Sequence, residues 1–353
     1  MSKTFTGNFF EDFRLGQEFV HAPPRTLGAG EQALYGALYG SRFALQSADD
    51  FARRLGLKQA PLDDMLVFHT VFGRTVSDIS LNTVANLGYG ECRWLKPVYP
   101  GDTLRASSTV IGLKENSNRK SGIVYVRSRG SNSAGELVLE FARWAMVRKR
   151  NAEAPAPTLV LPEIAPKVAA SALAIPAGLD FRRYDLTAGG APHVWDDFAP
   201  GERMDHVDGV TIEEAEHQLA TRLYQNSARV HFNQHAAAHV GEGRRLVYGG
   251  HVISIARALS FNGLGNACLL AAINGGRHAN PVAAGDTIYA WSEVLEKSPL
   301  PGRNDVGALR LRTLAVKNQT CGEFPGPDAA GTYPPNVVLD LDYWALMPRR
   351  VPA

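Results

Sequence analysis

One feature limits what this 353-residue chain can fold into more than any other: it contains the same pattern twice. Phe13, Gly16, His21, Thr26, Glu31 and Tyr39 are matched by Phe198, Gly201, His206, Thr211, Glu216 and Tyr224, all at a separation of 185 (198 − 13 = 185) without a gap. Further on, Arg93, Pro97, Gly101, Asp102 and Thr103 are matched by Arg277, Pro281, Gly285, Asp286 and Thr287, at a separation of 184 (281 − 97 = 184). LEFARWAM around Trp144 resembles LDLDYWAL around Trp344, so the likeness runs through each half. A fold that explains one half must therefore explain both.

Residues 151–180 are rich in Ala and Pro and read as an extended linker. They divide the chain into an N-terminal domain, 1–150, and a C-terminal domain, 181–353. Each half reads as a helical opening, an apolar helix and then several strands. The runs Met65–Ser77 and His251–Leu264 carry apolar residues on more than one face, which predicts deeply buried helices. After the first come four β-branched and aromatic runs, 86–95, 103–113, 122–129 and 136–147. After the second come 268–277, 287–296, 306–317 and 336–346, with a Gly/Pro-rich insertion at 321–335. A long helix held by a curved antiparallel sheet is the α+β class.

With 37 Lys and Arg against 35 Asp and Glu, no general field draws the chain to nucleic acid or an anionic membrane. Cys92, Cys268 and Cys321 are odd in number and widely spaced, which argues against a disulfide framework or a structural zinc and favours a reducing cytoplasm. No run of about 18 apolar residues occurs, and the N-terminus lacks a basic start followed by a long apolar stretch. A soluble, unprocessed cytoplasmic protein is expected.

Chemistry-bearing residues do not repeat with the scaffold. At the separation of 185, His231 faces Gln46 and Asn226 faces Ser41; at 184, Gly249 and Gly250 face Met65 and Leu66. Histidine moves protons near neutral pH, and exposed N–H groups at a helix start can receive an oxyanion. His231, Asn226, Gly249 and Gly250 are thus the candidate catalytic set, with one working half and one supporting half. Gly249–Gly250 also suit a tight turn into the helix. His231, His235 and His239 stand four residues apart, but no Asp or Glu accompanies them and the His-Glu-x-x-His arrangement is absent, so no metal is expected.

The stretches NFFEDFRLG, ALYGSRFAL, the two Gly-Asp turns and YGGHVIS resemble the MaoC-like hydratase family, and nearly the whole chain is similar to its mesaconyl-C1-CoA hydratases. The family's motif places Asp, then Asn and Pro at the second and third positions after it, and His at the fifth. Here that window reads Asn226, Ala228, Arg229 and His231, so only the His is kept. The resemblance implies a double hotdog, in which a degenerate first half supports acyl-CoA binding, and a homodimer of such chains. It also implies cofactor-free, reversible hydration of 2-methylfumaryl-CoA (mesaconyl-C1-CoA) to (2R,3S)-β-methylmalyl-CoA. His231 would be the acid/base, Asn226 a positioning residue and Gly249 or Gly250 the oxyanion donor. Tyr248, His251, Arg229 and Arg245 would line the substrate pocket, with Arg244 and Arg257 as further candidates for the substrate carboxylate. A hydratase of straight (R)-3-hydroxyacyl-CoA chains, a hotdog thioesterase, or a non-catalytic acyl-CoA-binding module are the alternatives.

Overall fold

The β-branched and aromatic runs, joined by two more polar edge segments, form ten strands in the computed structural model, which describes residues 3–238, 243–320 and 323–350. In the first half these are β1 (Glu18–Thr26), β2 (Thr83–Trp94), β3 (Thr103–Glu115), β4 (Ser121–Ser131) and β5 (Leu137–Arg148). In the second they are β6 (Arg203–Thr211), β7 (Leu269–His278), β8 (Thr287–Pro299), β9 (Val306–Lys317) and β10 (Val337–Pro348). They form one antiparallel sheet in the order β1-β3-β4-β5-β2-β7-β10-β9-β8-β6, so the second half repeats the first in reverse. The join is β2 against β7, with Tyr89 opposite Gly276 and Cys92 opposite Ile273. The same ladder satisfies backbone groups across the boundary between halves and removes two sheet edges that would otherwise be exposed.

The eight expected strand runs all appear, and each half adds a further strand, β1 or β6, between a short helical turn (Phe10–Asp12 or Trp195–Asp197) and its longer opening helix (Ala29–Tyr39 or Glu214–Leu223). β1 and β6 are edge strands with little apolar alternation, and β1 carries Pro23 and Pro24, so neither shows the periodicity that betrays a half-buried strand. Proline is tolerated there because an edge strand has one side without a ladder partner.

The buried helices are Asp64–Thr75 and Gly249–Leu259, each packed on the concave face of its half of the sheet. The second starts two residues earlier than the apolar pattern indicates and stops earlier too. Asn262 (ψ 104°) and Gly263 (φ 103°) leave helical geometry there. This break delivers the Asn262 carbonyl to His206, whose Nδ1–H donates to it at 2.6 Å. Because the helices begin at Asp64 and Gly249, the separation of 185 persists through them. Gly249 and Gly250 therefore face Asp64 and Met65, one residue from the pairing expected.

A pseudo-two-fold axis passes between the halves, where residues at equivalent positions touch each other. The hydroxyls of Tyr39 and Tyr224 are 2.7 Å apart, and His69 Nε2 is 3.1 Å from Ser254 Oγ. A buried polar relay also occurs twice: His21 Nε2 to Ser108 to Ser128 in one half (2.8 and 2.7 Å), and His206 Nε2 to Ser292 to Thr313 in the other (2.8 and 2.7 Å). Each satisfies polar atoms that would cost about 1–3 kcal/mol if left unpaired.

The Ala/Pro-rich segment runs across the outside of the sheet. Val160 pairs with Leu113, Val168 N–H donates to Asn274 Oδ1 (2.8 Å), and Trp344 Nε1–H donates to the Val168 carbonyl (3.0 Å). Cys92 and Cys268 are free and buried; Cys321 lies outside the described residues. Among the described residues no helix is long and apolar enough to cross a membrane.

Candidate active site

His231 ends a single turn, Arg229–His231, that follows the helix Glu214–Leu223. The next helical piece, Gln234–Ala237, is separate and capped by Asn233, whose Oδ1 accepts the Ala236 N–H (3.0 Å). His231 and His235 therefore do not share a continuous helical face, and His239 lies outside the described residues. Among the described residues no group of three or more His, Cys, Asp or Glu is placed to hold a metal ion.

The His231 ring is fixed by Leu246. His231 Nδ1 lies 2.9 Å from the Leu246 carbonyl, which can only accept, so Nδ1 carries the proton. Leu246 N–H in turn donates to the Val230 carbonyl (3.1 Å), clamping the two segments together. That tautomer leaves Nε2 as a lone pair with no partner among the described residues. The side chain keeps partial access to solvent. Burial pushes its pKa down to about 4, against the pull of the Leu246 carbonyl, so the imidazole is neutral at pH 7.

Asn226 is 5% exposed, and its Oδ1 accepts the Ala228 N–H at 2.9 Å, forming the turn that leads into His231. Gln225 before it adopts φ 51°. Gly73 on the first-half helix makes this turn possible: a Cβ there would collide with the Tyr224 carbonyl and stand 3.4 Å from Asn226 N. The first half thus presses directly on the backbone that carries Asn226.

Gly249 and Gly250 open their helix, and neither has positive φ, so a strained turn does not explain them. Close approach does. A Cβ on Gly249 would lie 2.5 Å from His278 Nε2 and 2.6 Å from its Nδ1; one on Gly250 would strike the Tyr248 ring and lie 2.6 Å from His69 Nδ1. No side chain caps this helix, so its first N–H groups and the positive end of its dipole are available to a ligand oxygen. Tyr248 is buried, its ring centroid 5.6 Å from that of His231.

The structure adds three residues that sequence reasoning missed. His278, at the end of β7, lies over Gly249 and is hydrogen-bonded through Nε2 to the hydroxyl of Tyr89, which comes from β2 of the first half. Burial, then the nearby His231, push His278 down to about 4. His69 of the first-half helix packs on Gly250 and Tyr224, and burial, then His251 and His278, push it down to about 3. A signal for His278 was present: at the separation of 184 it faces Trp94, the same kind of asymmetry that singled out His231.

The remaining expected residues separate. His251 is 1% exposed and turned toward the pseudo-two-fold axis, its Nδ1 2.9 Å from the Tyr39 hydroxyl, so the structure buries it away from a pocket wall. Burial, then His217, push it down to about 3. Arg245 is held by Glu214 and Gln218, Arg244 by the Ala284 carbonyl, and Arg257 lies 3.6 Å over the Phe43 ring while donating to the Ala267 carbonyl. Arg229 is exposed. In the equivalent place of the other half, Gln46, Asp64 and Trp94 stand for His231, Gly249 and His278. Trp94 Nε1–H donates to the Asp64 carbonyl (3.0 Å), and Leu270 N–H donates to the Asp64 carboxylate (2.8 Å). A cavity of about 30 Å³ lined by Pro61, Asp64, Trp94 and Leu270 remains there, room for about one water and without a base like His231.

A family model described as mesaconyl-CoA hydratase matches residues 2–330. The chain is 62% identical over 349 residues to a mesaconyl-CoA hydratase of Cereibacter sphaeroides, covering 98% of this chain and 100% of that one. It is 60% identical over 349 residues to a β-methylmalyl-CoA dehydratase of Chloroflexus aurantiacus, covering 99% of both. Among solved structures, it is similar to a putative MaoC domain dehydratase of Chloroflexus aurantiacus (TM-score 0.98, 59% identity, covering 99% of this chain and 100% of that one). It is also similar to a conserved hypothetical protein of Mycobacterium tuberculosis described as a double hotdog (TM-score 0.73, 26% identity, covering 98% and 99%). The ten-stranded sheet with its two buried helices is the double hotdog expected.

Proposed function

The chain belongs to the mesaconyl-CoA hydratase family, and from that footing we propose that it hydrates mesaconyl-CoA reversibly to β-methylmalyl-CoA, with His231 as the acid/base. The observation that carries this reading is the fixed tautomer of His231: a neutral imidazole with Nδ1–H tied to Leu246 and Nε2 free, beside an uncapped helix start at Gly249–Gly250.

In the hydration direction, His231 Nε2 takes a proton from water and the hydroxide forms a C–O bond at the carbon β to the thioester. The double-bond electron pair moves to the thioester carbonyl, whose oxygen becomes an enolate facing the Gly249 and Gly250 N–H groups and the positive helix end. A proton given up by the Tyr89–His278 pair then adds to the α carbon and the C=O re-forms, and the proton held on His231 Nε2 returns through solvent to re-protonate that pair. The hydrogen-bonded pair Tyr89 and His278 beside Gly249 is the second proton-bearing group within the site. It occupies the role for which the family uses Asp, because Asn226, with its Oδ1 committed to Ala228, orients the turn and cannot accept a proton. Acting on 2-methylfumaryl-CoA, this addition gives (2R,3S)-β-methylmalyl-CoA.

His69, Phe72 and Tyr89 of residues 1–150 form part of the same surroundings, so the first half serves as the supporting wall for the acyl group. By family resemblance the enzyme works as a homodimer in the cytoplasm; sedimentation of the purified chain tests the dimer.

His231→Ala tests the assignment. A positioned acid/base contributes about 10²–10⁴-fold, so the variant should lose that much kcat, followed as enoyl-thioester absorbance, with its melting temperature retained. Hydration at close to the wild-type rate would remove His231 from the mechanism. Release of free CoA by the wild type would favour a thioesterase instead.

A further inference from the structure

Arg143 is the largest unexplained charge in the molecule. It is 1% exposed, on β5 directly opposite Tyr89 on β2, and antiparallel partners point to the same face of a sheet. Its Nη2 donates to Ser80 Oγ at 3.1 Å, while Nε and Nη1 have no hydrogen-bond partner. The guanidinium lies 4.3 Å over the Phe72 ring, which in turn lies 5.9 Å from Tyr248 and 6.2 Å from Tyr89 between centroids. Among the described residues no carboxylate forms an ion pair with it. Burial lowers its pKa to about 10, partly offset by Tyr248 and Tyr89, so it remains charged at neutral pH.

A buried charge without a partner is strongly unfavourable, and a counter-charge brought in by a ligand relieves that cost. The groups around Arg143 are those of the candidate site: Tyr89 is bonded to His278, and Tyr248 borders His231. The residue is also peculiar to this pocket. Aligning Trp144 with Trp344 puts Tyr343 in the place of Arg143, and Tyr343 faces Ile273 as Arg143 faces Tyr89. One half has a hydrocarbon opposite a phenol; the half that walls the site has a phenol opposite a cation. The arginines near His231 in sequence are engaged or exposed, as described above.

We infer that Arg143 binds the free carboxylate of the substrate through the guanidinium edge that Ser80 leaves open, and thereby selects an unsaturated dicarboxylic thioester over a simple enoyl thioester. This rests on the hydratase reading above. Nη2 keeps a second N–H besides the one given to Ser80, and with the unpartnered Nε–H or Nη1–H on the same edge it forms the fork that matches a carboxylate bidentately, while the flat Phe72 face holds the guanidinium plane. The ion pair would form only when substrate is bound, so the diacid gains what a monoacid of similar length cannot.

The test compares wild type, Arg143→Met and Arg143→Lys on mesaconyl-C1-CoA and crotonyl-CoA, reading kcat/KM for each and the melting temperature of each protein. Truncating one partner of a buried ion pair should lower the diacid-to-monoacid ratio of kcat/KM by about 10²–10³-fold in Arg143→Met. Arg143→Lys, which keeps the charge without the fork, should fall by about tenfold or more, and it decides the matter alone if the Met variant does not fold. Equal losses on both thioesters, or a ratio like wild type in either folded variant, overturn the role of Arg143. Wild-type enzyme that hydrates neither thioester overturns the hydratase reading itself, a different result from a wild type that is active and a variant that keeps its selectivity.

Discussion

Gly249→Ala separates two reasons for a glycine at the start of the second buried helix. An oxyanion donor uses the backbone N–H, which alanine keeps, and alanine is the better helix former by up to about 1 kcal/mol. If the N–H were the whole reason, the substitution would be harmless or stabilising. The geometry says otherwise: the new Cβ would lie 2.5 Å and 2.6 Å from two His278 nitrogens, about 1 Å inside normal contact. The helix cannot retreat easily, because Gly250 is already against Tyr248 and His69. His278 must move by about 1 Å and lose its hydrogen bond to Tyr89, and a misplacement of that size costs about 10²-fold in rate. Loss of the enoyl-thioester absorbance measures kcat, and thermal denaturation checks the fold. The same substitution in a His278→Ala background should cost little more than His278→Ala alone, because the collision is gone. Gly249→Ala at wild-type activity would refute the reasoning, as would a full additional loss in the double variant.

Other outcomes follow from the same contacts. The acid limb of the kcat/KM profile should fall near pH 4, not near 6.5, because neutral His231 is the active form and burial lowers its pKa to about 4; a limb at 6.5 would place the base elsewhere. His69, His206, His231, His251 and His278 all have depressed pKa values in the fold. The unfolded chain therefore binds more protons below pH 6.5, and stability should drop as pH falls from about 6.5 toward 4, by about 1–2 kcal/mol per histidine at pH 5; denaturant midpoints measured at pH 7 and 5 check the sign. Asn226→Ala leaves the Ala228 N–H without its acceptor and should lose about 1 kcal/mol, whereas Asn226→Asp keeps that acceptor and the melting temperature. Tyr39→Phe removes the hydroxyl shared by Tyr224 and His251 and should cost about 1–3 kcal/mol; an unchanged melting temperature would mean that those groups re-pair locally.

The double fold was legible because turns and anchors such as Gly101-Asp102 and Gly285-Asp286 survive in both halves. The inner strands were legible as β-branched and aromatic runs bounded by turn signals, and β1 and β6 were hidden because they are mostly exposed and polar, with Pro23 and Pro24 interrupting β1. The site was half legible. His231, Asn226 and the glycines stood out by being absent from the first half. His278 would have stood out by the same comparison with Trp94. Tyr89, His69 and Arg143 were hidden for another reason: they belong to the first half, and their nearness to His278, Gly250 and Tyr248 arises only where the two halves pack together. His251 differs from them: adjacency to Gly250 in sequence puts it one helix position round, facing Tyr39.

The continuous ladder between β2 and β7 has a consequence for how such a site can change over time. In a dimer of identical single-hotdog chains, every residue stands at both pockets, so a mutation that suits one is imposed on the other. Joining the two copies on one chain releases that tie: position 94 can be Trp while position 278 is His, and position 143 can be Arg while position 343 is Tyr. The place equivalent to Gly249 and His278 is then free to be used for packing, as the Trp94 Nε1–H bond to the Asp64 carbonyl shows, and the two halves are free to meet a ligand whose two ends differ. Asymmetric substrates and asymmetric pockets become compatible only after the halves have ceased to be copies.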